Sequence, residues 1–73
     1  MLRIMYRPHR RGFDESMAEA KKFNAMGALK DYLGFGSVEY YDRDDRITPG
    51  VDTFIVLDTH GDPLGFCWFI EER

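Results

Sequence analysis

The sequence predicts a small α+β domain: one antiparallel sheet of three to four strands with one or two helices packed on one face. Three observations lead there. Short segments with strand-type alternation or dense apolar content open the chain and fill its second half. Apolar residues at helical spacing lie between them. Glycine, proline and aspartate clusters punctuate the boundaries, as turns require. At 73 residues the chain is one domain, residues 1–73, with no internal repeat, low-complexity stretch or flexible linker.

The first element is Leu2–Tyr6, where Leu2, Ile4 and Tyr6 point one way and Arg3 and Met5 the other. Pro8 lacks a backbone donor and pushes Arg7 out of helical geometry, which predicts that the strand ends near Arg7, with Gly12 closing the connection. Asp14–Phe23 reads as a helix with Asp14 as N-cap, acids in its first turn and Lys21 and Lys22 near its end. Its tail, Glu19–Phe23, also fits a short strand. Asn24–Gly36 is a second helix, with Asn24 as cap, a stripe of Met26, Leu29 and Leu33, and Gly34 as its stop. Ser37–Asp42 alternates as a strand, the Arg43–Asp45 stretch turns the chain, and Thr48–Gly50 forms another turn. Thr53–Asp58 and Leu64–Glu71 are apolar at nearly every position, so both their faces are expected to be covered. The hairpin connection between them contains Gly61.

So short a chain buries roughly 60% of the surface its unfolded form exposes. Eleven aromatic residues are many for such a body, and they predict a homo-oligomer in which some rings meet a second copy. Cys67 is the single cysteine, which excludes an internal disulfide and a cysteine-rich zinc site. Its apolar setting predicts an inert thiol in a reducing compartment. No apolar run approaches the ~20 residues of a membrane span, and the N-terminus lacks the apolar segment of a signal peptide, so a cytoplasmic protein without a membrane partner is expected.

Charge is distributed unevenly. Residues 1–12 carry Arg3, Arg7, Arg10 and Arg11 and no acid; residues 13–73 carry thirteen acids against six bases. This polarity argues against general nucleic-acid binding, which uses a basic surface over a whole face. It allows one local anion site on an acidic body.

The candidate for that site is Tyr6–Phe13, "YRPHRRGF". Arginine binds phosphate bidentately, a rigid strand-end loop lowers the ordering cost, and an aromatic ring stacks on a base. Tyr6, Arg7, His9, Arg10 and Arg11 are the ligand-binding candidates. The competing reading pairs these arginines with the chain's own carboxylates, Asp14, Glu15 or the acids of residues 42–45. No metal site is expected. Asp58, His60 and Asp62 alternate, but they are standard turn residues, and the calcium-loop pattern and paired histidines are missing. No catalytic residue or cofactor is expected either, because Ser16 and Ser37 lack a nucleophile-elbow context and Cys67 sits in a hydrophobic strand.

Tyr6, Arg7, Pro8, His9 and Arg10, followed by Ser16, Met17, Glu19, Ala20, Lys21 and Phe23, resemble a family of small proteins encoded by bacteriophages and prophages with a Tyr-Arg-Pro-His-Arg head. The closing "DDRI", "DTFIVL" and "GFC" are also similar, so the likeness spans most of the chain. Arg11 stands where the family usually has glycine, which adds charge to the loop. The resemblance implies a phage origin, hence the cytoplasm of a bacterial host, and a non-enzymatic accessory role such as blunting host defence. Two binding modes follow. In one, the basic loop holds a phosphate-bearing nucleotide. In the other, an acidic surface of Asp42, Asp44, Asp45, Asp58 and Asp62, extended by Glu71 and Glu72, occupies the nucleic-acid groove of a host defence protein, as anti-CRISPR proteins do. A phage regulatory or structural accessory is a third.

Overall fold

The computed structural model describes residues 1–47 and 49–73; Thr48, the first residue of the expected Thr48–Gly50 turn, lies outside the described residues. The α+β class stands, but the sheet has five strands, not three or four. They are β1 (Leu2–Pro8), β2 (Lys21–Phe23), β3 (Ser37–Arg43), β4 (Asp52–Leu57) and β5 (Pro63–Glu71). The helices are α1 (Phe13–Ala18) and α2 (Met26–Leu33). The spatial order is β2-β1-β5-β4-β3, and every neighbouring pair is antiparallel.

The extra strand is the tail of the expected first helix. Lys21–Phe23 leaves helical geometry and pairs with β1, Ile4 opposite Phe23 and Tyr6 opposite Lys21. The helix keeps only Phe13–Ala18, and its cap position is Gly12 at φ 134°, so Asp14 lies inside the first turn and does not cap it. Asn24 does not cap α2 either: Ala25 takes that place, and the Asn24 side chain accepts a hydrogen bond from Arg3. The stop at Gly34 holds, with φ 67° and its N–H donating to the Lys30 carbonyl.

β1 runs past Arg7 to Pro8. The His9 N–H donates to the Leu64 carbonyl on the β5 side, so the Pro8 nitrogen faces the β2 side. There β2 has already ended at the Tyr6–Lys21 pair, and the missing donor breaks no ladder bond.

Two different cores flank the sheet. On one face Ile4, Tyr6, Val56 and Cys67 pack beneath Leu29 of α2, with Phe23, Met26, Leu33, Phe35 and Val38 around them. The opposite face carries Trp68, Thr53 and Arg7, all buried. Phe13 and Ser16 of α1 and Asp44 from the β3–β4 connection meet Arg7 there. The helices therefore serve opposite faces rather than one. Between the cores Tyr6 lies across Gly65, where an added Cβ would meet the Tyr6 ring at 2.7 Å and the Arg7 carbonyl more closely still. Among the described residues no helix is long and apolar enough to cross a membrane.

Candidate functional site

Strand alternation decides the fate of the basic octapeptide. Tyr6 and Arg7 are neighbours in β1 and so project to opposite faces. Arg7 enters the interior and is only 6% exposed. Its guanidinium lies 4.5 Å from the Phe66 ring centroid and 5.1 Å from that of Phe13. It donates to Ser16 Oγ at 3.1 Å and faces Asp44 Oδ2 at 3.7 Å. The stack continues outward, with Arg46 4.1 Å from the other ring centroid contact, Phe13, and bound to Asp44 through two 2.8 Å hydrogen bonds. Ser16 Oγ completes the cluster by donating to the Pro8 carbonyl at 2.6 Å. Burial pulls the Arg7 pKa down, and Asp44 opposes that pull. Arg7 is thus internal structure, closed to a ligand.

The other candidates remain outside but disperse. His9 is exposed, its ring 6.1 Å from Phe66. Arg10 is exposed and forks onto Glu19, Nε to Oε2 at 2.7 Å and an NH2 contact to Oε1 at 3.2 Å. Arg11 is exposed and makes no ion pair among the described residues. Tyr6 is buried on the α2 face, and its hydroxyl donates to the Leu64 carbonyl at 2.9 Å. Burial also pushes the Tyr6 hydroxyl above its ordinary pKa. The five residues do not form one cationic surface.

Two of them, Tyr6 and Arg10, line a cleft of about 390 Å³ between β1, β2 and α2. Tyr32, Leu33, Leu64 and Pro8 give it apolar and aromatic walls; Lys21 and Glu19 join Arg10 at its polar rim. Pairing with Tyr6 brings Lys21 into the cleft, and its ammonium lies 5.2 Å from the Tyr32 ring centroid. Phe23, two pairs along on the same face, packs against Tyr32 at 5.3 Å between centroids. Tyr32 remains 54% exposed beside these contacts. Sequence reasoning missed Lys21, Tyr32 and Leu33 as site residues. The available signal was the strand alternative for Glu19–Phe23, because a strand there sets Lys21 beside Tyr6.

The aspartates proposed as one acidic surface serve turns. Asp58 Oδ1 accepts from the His60 and Asp62 N–H groups at 2.8 and 2.9 Å, and these backbone bonds, that from Asp62 foremost, hold its pKa down. Asp45 accepts from the Gly50 N–H at 2.7 Å and Asp42 from the Arg43 N–H at 2.7 Å. Asp44 is buried against Arg46 and Arg7. Asp42, Asp44 and Asp45 lie at one end of β4 and Asp58 and Asp62 at the other. They do not make one continuous patch.

Among the described residues no three His, Cys, Asp or Glu side chains are placed to share a metal ion. Cys67 is fully buried, and that burial pushes its thiol up to about 11, far from the reactive thiolate range. No protein-family model, curated protein or solved structure matches the chain.

Proposed function

We propose that the protein is a non-enzymatic accessory of phage type, acting in the cytoplasm of a bacterial host, that blunts a defence response by binding a phosphate-bearing nucleotide in the Tyr6–Tyr32 cleft. The observation that carries this reading is the meeting of two tyrosines with Arg10 and Lys21 in one concavity. Its volume of about 390 Å³ falls in the range of small-molecule sites. The base stacks on the exposed Tyr32 ring, an interaction worth ~1–3 kcal/mol. Lys21 and Arg10 take the phosphate. The Arg10–Glu19 pair is exposed and solvent-screened, so phosphate exchanges readily with the Glu19 carboxylate. Arg11 adds positive potential close by. Arg7 contributes indirectly, by fixing the end of β1 from which the loop departs.

Thermal unfolding with mono-, di- and cyclic nucleotides tests the proposal. A ligand at about 100 times its Kd stabilises by ~2.7 kcal/mol, a shift of several degrees in a domain this size. Arg10→Glu together with Lys21→Glu is expected to abolish the shift while leaving the unliganded melting temperature near that of the wild type. The absence of a shift with every nucleotide at millimolar concentration removes the proposal.

A further inference from the structure

The cleft between β1, β2 and α2 carries an acid among its cations, and that acid limits what can enter. Its charged lining residues are Arg10, Lys21 and Glu19, an excess of one positive charge. Arg10 is already engaged. Its Nε and one terminal nitrogen fork onto Glu19 at 2.7 and 3.2 Å, and its other terminal nitrogen donates to the His9 carbonyl at 3.3 Å. The Arg10 hydrogen bond holds the Glu19 carboxyl below its ordinary pKa, so the carboxylate is charged at neutral pH. Lys21 makes no ion pair among the described residues, and its ammonium faces the Tyr32 ring. Outside the lining, Glu15 acts weakly on Arg10 and Arg11 follows Arg10 in the chain, one charge of each sign.

A phosphate that enters must share Arg10 with Glu19 or displace it. Displacement leaves the carboxylate unpaired beside the incoming anion, and the repulsion between them grows with the charge of the ligand. A phosphate monoester carries about −1.5 to −2 at pH 7, and nucleoside di- and triphosphates carry more. A phosphodiester has one acidic proton and a single charge, which equals the excess that the cleft offers. Size points the same way. A volume of about 390 Å³ lies near the lower end of the ~300–1,000 Å³ of small-molecule sites, which favours one nucleotide over two linked ones. A phosphodiester closed within one nucleotide is a cyclic mononucleotide.

We infer that the cleft selects a cyclic mononucleotide over nucleoside mono-, di- and triphosphates, and that Glu19 is the residue that discriminates. This selection rests on the nucleotide reading of the cleft, which it narrows to one class. Glu19 works by exclusion, setting a like charge against each more highly charged competitor.

Isothermal titration calorimetry in magnesium-free buffer tests the inference, with cyclic adenosine monophosphate, adenosine monophosphate and adenosine triphosphate, and with the guanine, cytosine and uracil series. For the base that binds tightest, the cyclic form is expected to bind roughly tenfold more tightly than the monophosphate, with the triphosphate weaker still. Glu19→Gln keeps the size of the side chain and removes its charge. It should tighten the monophosphate and the triphosphate roughly tenfold and the cyclic form far less, so that the gap closes. Glu19 is about half exposed, so the variant retains the fold, which circular dichroism verifies. Lys21→Gln should weaken all three ligands. A wild-type ranking with the monophosphate or triphosphate first, or a ranking that Glu19→Gln leaves unchanged, overturns the inference while the nucleotide reading stands. Absence of binding by every nucleotide overturns both.

Discussion

On the α2 face, the side chains withdrawn from water are Ile4, Tyr6, Leu29, Val56 and Cys67; on the opposite face they are Trp68 and the polar Arg7, Ser16, Asp44 and Thr53. The first group coheres by apolar burial, which is roughly additive and tolerates small changes. The second is a polar interior that must be satisfied as a set, because each unpaired member carries its full desolvation cost. Satisfaction is incomplete: among the described residues the buried side-chain nitrogens and oxygens without a hydrogen-bond partner are Arg7 Nε and Thr53 Oγ1, both in this group. The difference teaches that two adjacent residues of a basic motif can belong to separate machines. Tyr6 shapes a cleft, while Arg7 ties α1 and the β3–β4 connection to the sheet.

The largest effect expected from breaking this division is at Arg7. Arg7→Ala empties the space between Phe13 and Phe66 and removes one of the two cations facing Asp44; a loss of about 3–4 kcal/mol in urea unfolding is expected. A loss below about 1 kcal/mol would mean that the polar face contributes little to stability. Gly65→Ala comes next, because the new methyl collides with the Tyr6 ring on one side of the division and the Arg7 carbonyl on the strand that joins both. Overpacking of this kind costs about 2–3 kcal/mol. Faster labelling of the buried Cys67 thiol by a disulfide reagent should accompany it, since labelling reports opening of the α2 face.

Acid sharpens the contrast. Hydrogen bonds from Arg46, aided by the charges of Arg46 and Arg7, hold the Asp44 carboxyl below the usual carboxylate range. A depressed folded-state pKa means stability that is fully present above the unfolded value and is lost as pH falls through the lower folded one. The melting temperature should therefore drop below about pH 4, and Asp44→Asn should remove that part of the acid dependence while lowering stability near neutrality. If Asp44→Asn keeps the wild-type acid profile, another carboxylate governs it. The smallest effect is expected at Arg10, chemically identical to Arg7 yet exposed. Arg10→Ala should leave the urea midpoint indistinguishable from that of the wild type.

Much of the sheet was legible because β1, β4 and β5 carry dense or alternating apolar residues, and α2 was legible from Met26, Leu29, Leu33 and the Gly34 stop. β2 was legible only as the strand alternative for Glu19–Phe23, for a physical reason: three residues with two exposed lysines contain no apolar alternation, and pairing with Ile4 and Tyr6 is what makes them a strand. Asp14 and Asn24 have the chemistry of caps, but Gly12 and Ala25 occupy the cap positions. The cleft was half legible. Tyr6 and Arg10 were visible in the motif, whereas Lys21 reaches it through the β2 register and Tyr32 comes from α2. The burial of Arg7 could not be read locally, since its partners come from three separate parts of the chain: Phe13 and Ser16 from α1, Asp44 from the β3–β4 connection and Phe66 from β5.

The seating of β1 between β2 and β5 has a kinetic consequence. As the polypeptide emerges during synthesis, β1 is made first and can zip only with the three-residue β2 nearby; its long partner is made last. Meanwhile β3, β4 and β5 form consecutive local hairpins that need no distant encounter. The rate-limiting event is then the search of the opening segment for the finished meander, a large loop closure whose entropy is lost before any contact compensates for it. Nascent chains halted short of β5 leave Ile4 and Tyr6 bare, the sticky half of an unfinished sheet.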